Sequence, residues 1–245
     1  EGYGFNHDIT FSGSGELDNG FTVSTTMILT ETSALSSSNV ALTMGGMGTI
    51  TIGNGLAGVG GGFDAVTPYA YEENWDGMKT TTAIDSVGSK TNANAVMYDS
   101  PSFDLGGASA SFAFSYTPEA GASATGEGGV AAQSANYGSG MAAGVKVSMA
   151  GLTAGIFGEE VKDDTGDGSV SGASRREDAM SATWFANYTV GPVSFGYQKA
   201  GLDNGINAAA TAATAAKTVA AAGGFFESEK MSVAFNVNEN LSISY

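Results

Sequence analysis

The stretch ITFSGSGELDNGFTVSTTMIL, residues 9–29, alternates apolar and small polar residues on both sides of the turn Asp18-Asn19-Gly20. An Asn-Gly pair between two alternating runs is the strongest short-range signal for a β-hairpin. Each of the two predicted strands therefore has one apolar face and one face of Thr, Ser and Gly. The fold depends on which of these faces meets which solvent.

The same alternation recurs along the chain and gives twelve candidate strands, whereas no helical period is sustained. Short and long connections alternate between these strands. The short ones are 18–20, 45–48, 105–107, 150–151, 191–192 and 238–240, and the long ones are 32–38, 55–93, 118–139, 161–178 and 202–222. This order predicts an all-β, antiparallel up-and-down meander, with tight turns at one end of the strands and long loops at the other.

The composition of the 245-residue chain fits one large domain, residues 1–245, with few charges and no cysteine. Charged residues make up 14% of the chain, against about 25% in an average soluble domain. The chain has 25 Asp and Glu against nine Lys and Arg, a net charge of −16. A surface this acidic repels phosphates, which argues against a nucleic-acid partner.

The polar strand faces decide between a soluble core and a membrane wall. A soluble β-sandwich would carry Lys and Glu on its outer faces as a guard against edge pairing. Here the polar faces carry Ser, Thr and Gly, and the charges collect in the long loops. Apolar faces toward lipid and polar faces toward a wet interior are typical of a transmembrane β-barrel. That fold is our prediction, and a soluble sandwich or lipocalin-like barrel is the weaker alternative.

The ends of the chain also fit a spanning barrel, if further strands flank it. Such barrels usually have an even number of strands and place both termini at the short-turn end. The first predicted strand instead runs toward turn 18–20, and the last one extends only about six residues beyond turn 238–240, where a span needs roughly 9–11. We therefore expect an interior fragment of a longer chain with at least about fourteen strands.

Three motifs resemble the general diffusion porins of Gram-negative bacteria, especially their sixteen-stranded alphaproteobacterial type. The motifs are GELDNGFTV (15–23), MGTITIGN (47–54) and GGFDAV (61–66), and the resemblance covers essentially the whole chain. It implies a homotrimer in the bacterial outer membrane, in contact with lipid and lipopolysaccharide. It also implies water-filled channels for passive diffusion of small hydrophilic solutes and ions, without a cofactor. About twelve strands of a probable sixteen would be present, beginning with the second, at 5–17.

The resemblance further implies that 55–93 is the third external loop, which folds inward and narrows the pore. On that match, the acids at the constriction are Asp64, Glu72, Glu73, Asp76 and Asp85. The alternation assigns these residues to the pore wall: Asn6, Asp8, Thr10, Glu16, Thr26, Lys146 and Lys230. The porin family usually sets a basic cluster opposite the loop acids, but the first four strands have no inward basic residue. Because a negatively lined channel favours cations, we expect a cation preference. The alternative is that the loop acids are merely solvated.

Sequence features typical of enzymes are weak in this chain. Residues 53–58 spell GxGxxG after a strand, but this fingerprint needs a following helix. The glycine-rich stretch 57–62 is expected not to form a stable helical turn, because each glycine costs about 1 kcal/mol. The single histidine, His7, has no accompanying nucleophile elbow for a catalytic triad. Paired carboxylates alone, as at Glu72-Glu73, do not indicate a glycosidase, and we expect no enzyme.

The stretch KDDTGDGS, residues 162–169, spaces three acids as in a calcium loop: Asp163, Asp164 and Asp167. It lacks the downstream bidentate Glu of an EF-hand, so an exposed acidic loop is favoured and loose Ca²⁺ binding stays open.

A surface-exposed structural or adhesive β protein without channel activity is the alternative function, since acidity and Ser/Thr richness also fit it. A porin needs detergent to stay in solution, whereas an adhesive domain does not.

Overall fold

The computed structural model describes residues 8–30, 35–54, 58–64, 66–69, 91, 94–118, 120, 137–163, 178–203 and 225–245. These residues form an all-β fold with a single antiparallel sheet of 13 strands. The strands are β1 (Ile9–Glu16), β2 (Thr22–Leu29), β3 (Leu35–Thr43), β4 (Thr49–Asn54), β5 (Ala95–Asp99), β6 (Phe103–Asp104), β7 (Ala108–Thr117), β8 (Tyr137–Met149), β9 (Leu152–Asp163), β10 (Ala179–Val190), β11 (Val193–Asp203), β12 (Phe225–Asn238) and β13 (Leu241–Ser244).

The strands lie side by side in chain order, as the alternation of short and long connections predicts. Twelve of them form the path from β1 to β13, and the two-residue β6 pairs with β7 beside β5. β5 and β6 thus act as one strand that is interrupted at Pro101, a residue with no N–H to give to a ladder. At the interruption, Ser100 Oγ accepts a hydrogen bond from the Phe112 N–H at 2.8 Å. Within the described ranges β1 and β13 are the edges of the sheet, which does not close on itself.

The short connections are tight turns between adjacent strands. In the first hairpin, Asn19 Oδ1 accepts a hydrogen bond from the Phe21 N–H at 3.0 Å, and Gly20 has a φ of +80°. A left-handed φ of this kind is what glycine permits without steric cost. A short 3-10 turn, Gly45–Met47, joins β3 to β4. The turn chemistry of the sequence therefore sets the register of the hairpins.

The sheet has two chemically different faces, and the strand register keeps each face continuous from one strand to the next. One continuous row runs through Val40, Ile52, Val96 and Tyr116, and all four are exposed. A parallel row contains Ile156, which is 63% exposed. We call this side the apolar face. Soluble monomers rarely expose so large an apolar surface, whereas a lipid-facing barrel wall requires one.

The opposite side, which we call the loop face, is covered in part by residues 58–64 and 66–69 of the longest connection. This segment starts with α1 (Gly58–Gly61), a single helical turn that contacts β5, β7, β8 and β9. The expectation that 57–62 forms no helical turn is therefore wrong. Val59 is buried against the sheet, and tertiary packing of this kind overrides the poor helix propensity of glycine. None of the helices in the described part of the chain is long and apolar enough to cross a membrane.

Candidate pore-lining site

The first described residues of the long connection are attached to the loop face through Phe63, which is 3% exposed. Its ring packs against Phe157 with 5.5 Å between the ring centroids, and against the edge of Phe185 at 6.0 Å. The Phe63 carbonyl oxygen accepts a hydrogen bond from Gln198 Nε2 at 2.6 Å. Since β9, β10 and β11 each supply one of these contacts, the segment is attached to three adjacent strands.

Glycines in the sheet provide the space in which this segment sits. A Cβ atom added at Gly155 would lie 2.9 Å from the Phe63 ring, closer than real Cβ contacts come. At Gly144, a Cβ atom would overlap the same ring. At Gly196, it would overlap the Pro68 ring. A Cβ atom at any of these positions on β8, β9 or β11 would force a ring of the segment, or a side chain beneath it, to shift.

Further along the segment, a second polar contact holds Val66, whose carbonyl oxygen accepts a hydrogen bond from Asn187 Nδ2 at 2.5 Å. Thr67 follows and is buried. Residues 63–64 and 66–68 thus lie along β10 and β11 through hydrogen bonds from the Gln198 and Asn187 side chains to their carbonyls and through close packing.

The far end of the long connection is attached to the same face at Thr91. Its N–H and its hydroxyl donate to Glu159 Oε2, at 3.1 and 2.7 Å, and Ser115 Oγ lies 3.5 Å from Thr91 Oγ1. Glu159 is only 7% exposed, and a buried carboxylate needs such donors to offset the loss of water. The two described ends of the connection are therefore both fixed to the loop face.

Among the described residues, two lysines lie on this face, in one row of the sheet. The register joins Lys146 on β8 to Gly155, Phe185, Gln198 and finally Lys230 on β12. Four strand spacings of about 4.8 Å put the two lysine backbones about 19 Å apart. Lys146 Nζ lies 4.8 Å from the Phe63 ring centroid, a cation–π contact. The Phe63 ring thus covers part of the loop face between the two lysines.

The other predicted site residues are spread over the molecule. Asp64 directly follows Phe63 in the attached segment, while Thr10, Glu16 and Thr26 lie on the loop face of β1 and β2, and Asp8 just precedes β1. Predicted residues outside the described ranges are Asn6, Glu72, Glu73, Asp76, Asp85, Asp164 and Asp167. Asp163 is described only as the end of β9, and the described part of the chain contains no group of three acids or histidines placed for a metal ion.

Comparison with known proteins identifies the family. The sequence model of a family described as Gram-negative porin matches residues 1–242. The chain belongs to this family. No individual protein in the curated set matched it. The porin is therefore an outer-membrane channel protein, with its apolar face toward lipid, and its family is one of channels rather than enzymes.

The apolar face of the porin carries charges in the halves of its strands that lead into the long loops, among the described residues of β9–β12, and Lys199 lies in the same row as Ile156 and Trp184. Lys162 Nζ pairs with Glu160 at 2.6 Å and with Asp178 at 2.8 Å, and Lys199 Nζ pairs with Glu227 at 2.5 Å. Charges are tolerated at the rim of a barrel far better than at the bilayer midplane. The Lys162 group, at the end of β9 and the start of β10, is consistent with the long-loop end lying at a membrane–water interface, and the ion pairs of Lys199 offset its charge further into the strand.

Alternation alone misses several residues of the porin's loop face. Glu159 and Asp99 lie there, although no sequence motif singled them out. The signal that could have located the site is a break in the pattern. Ile156-Phe157 and Trp184-Phe185 are adjacent apolar pairs, in which one side chain faces outward and the other lies beneath the attached segment.

Proposed function

We propose that this porin is a water-filled channel for passive diffusion of small hydrophilic solutes and ions, which the connection 55–93 narrows. The attachment of both described ends of this connection to the polar side of the sheet supports the proposal. Phe63 at one end and the Thr91–Glu159 hydrogen bonds at the other hold the chain against the wall that faces water. A connection fixed in this way reduces the free cross-section of the channel without blocking it.

The proposed channel prefers cations. Acids on the described loop face and its attached segment include Asp64, Asp99 and Glu159, against Lys146 and Lys230. The whole chain carries a net charge of −16. Fixed negative charge along a narrow path raises the local concentration of cations. The remaining predicted constriction acids, Glu72, Glu73, Asp76 and Asp85, would add to this field.

We further propose a homotrimer in contact with membrane lipid and lipopolysaccharide, on the strength of the porin resemblance and the exposed apolar face. Conduction of this kind needs no cofactor. Loose Ca²⁺ binding at Asp163, Asp164 and Asp167 remains a separate proposal, to be tested by calcium titration. Light scattering of the native protein in mild detergent tests the assembly, and a monomer mass would overturn the trimer.

The decisive experiment is a planar-bilayer recording of the native protein under a KCl gradient. Low salt is preferable, because exposed charges are screened over about 10 Å at 0.1 M. We expect stepwise ohmic currents whose reversal potential is shifted from zero toward the equilibrium potential of K⁺. A reversal potential on the Cl⁻ side would keep the channel and overturn the cation preference. Folded, inserted protein that passes no current would overturn the channel itself.

A further inference from the structure

A small cavity with both polar and apolar walls lies on the loop face, between the first residues of the long connection and strands β5, β7 and β8. Its volume is about 180 Å³, and it has one acid and one base among its walls. The residues on which the inference rests are Gly62, Phe63, Asp99, Ser100, Ser111 and Lys146. Lys146 follows Gly144 by two residues on β8 and lies opposite Ser111. It is therefore nearer the short turn 150–151 than Gly144, which is beneath the Phe63 ring. The cavity thus lies beside the attached segment, toward the short-turn end.

The strand register separates the two charges. Asp99 on β5 is paired with Ala113 on β7, which is paired with Gly144 on β8, two residues before Lys146. Two strand spacings and one two-residue step put the Asp99 and Lys146 backbones about 12 Å apart. Within the described residues these two side chains form no ion pair with each other, and the contact recorded for the Lys146 ammonium is the Phe63 ring. The cavity therefore presents an anion and a cation with a gap between them.

A solute that carries both charges a few atoms apart matches this arrangement. Its carboxylate can accept from the Lys146 ammonium while its ammonium donates to the Asp99 carboxylate, and each is a strong, charge-assisted hydrogen bond. A solute with a single charge gains one partner and meets a repulsive charge at the other end of the cavity. At about 30 Å³ for each water, the volume corresponds to about six water molecules, which suits a solute of glycine or β-alanine size.

We propose that this cavity is a transient binding site for short zwitterionic solutes of the amino-acid class on their way through the channel. The proposal rests on the proposed function, because the solute must reach the loop face from the aqueous path. Such a site raises the local concentration of zwitterions near the narrow part of the channel. Because the cavity is only partly enclosed, we expect weak binding and fast exchange.

The test is single-channel current in KCl with glycine or β-alanine added, and with acetate or methylammonium at equal concentration as single-charge probes. The zwitterions are expected to reduce the open-channel current by transient occupancy, at lower concentration than either single-charge probe. Asp99→Asn and Lys146→Met should each raise the half-effect concentration of the zwitterion about tenfold, which corresponds to about 1.4 kcal/mol.

Matched controls separate this site from general charge effects. Glu16→Gln removes a loop-face acid on β1, and Lys199→Met removes a lysine on the apolar face; neither should move the half-effect concentration. If Asp99→Asn and Lys146→Met leave it unchanged while the KCl conductance persists, the site is refuted. Equal potency of acetate or methylammonium would also refute it. Loss of KCl current in every protein, wild type included, would instead refute the proposed channel.

Discussion

Removing the Phe63 ring should release the first residues of the long connection from the loop face while the sheet stays folded. Phe63 is 3% exposed and packs against Phe157 and Phe185, which belong to β9 and β10. In Phe63→Ala the carbonyl at position 63 can still accept from the Gln198 side chain, but the ring that fills the space above Gly144 is lost. The strands themselves pair through their own ladders and do not depend on this ring.

The size of the effect follows from the burial. Truncation of a buried Phe to Ala typically costs about 3–5 kcal/mol, including the cavity that remains. Because each 1.4 kcal/mol is a factor of ten, local detachment of the segment should become roughly 10² to 4 × 10³ times more frequent. The Phe63 N–H, which donates to the Gly60 carbonyl at 2.8 Å, should exchange faster by a similar factor.

Hydrogen exchange followed by mass spectrometry, on peptides that span 58–69 in detergent-solubilised protein, measures this detachment. Phe112→Ala is the matched control, since Phe112 is 44% exposed on the apolar face. The control should leave exchange in 58–69 unchanged. Folded Phe63→Ala protein with wild-type exchange in this segment would refute the role of Phe63 as its anchor.

Three further outcomes are expected. Glu159→Ala removes the acceptor of both Thr91 donors, so exchange at residue 91 should rise about tenfold or more while 58–63 stays protected; equal protection at both ends would contradict separate anchors. Gly144→Ala should lower the thermal unfolding midpoint and loosen the attached segment. Gly158→Ala, with no atom within 4 Å of its added Cβ, should be near neutral, and equal effects of the two variants would contradict a need for glycine beneath the Phe63 ring. Trp184 fluorescence, in a variant without the other tryptophan, should be quenched by lipids brominated in their acyl chains, and lack of quenching would place the apolar face away from lipid.

The strand order was predictable because each hairpin is encoded locally. The turn Asp18-Asn19-Gly20 fixes the first register, and the period of two then assigns every side chain of β1 and β2 to a face. Lys146 and Lys230 could be placed on the loop face for the same reason. Such assignments need only sequence neighbours and the geometry of a pleated strand.

The attachments of the long connection could not be predicted in this way. Thr91 and Glu159 are 68 residues apart in the chain, and Phe63 and Gln198 are 135 apart. No local pattern specifies which strand a loop will cross. The helical turn at 58–61 was missed for a related reason, because its stability comes from packing of Val59 against the sheet rather than from its glycine-rich sequence.

The breaks in alternation carry information that the regular pattern does not. Phe157, Phe185 and Ala200 are apolar residues at polar positions, and all three belong to one buried cluster with Phe63. In a channel, an apolar side chain toward water is costly unless another part of the chain covers it. These residues therefore mark where the long connection must touch the wall. Lys146 and Lys230 flank the same patch, so the contact places Phe63 and the residues next to it between two fixed positive charges.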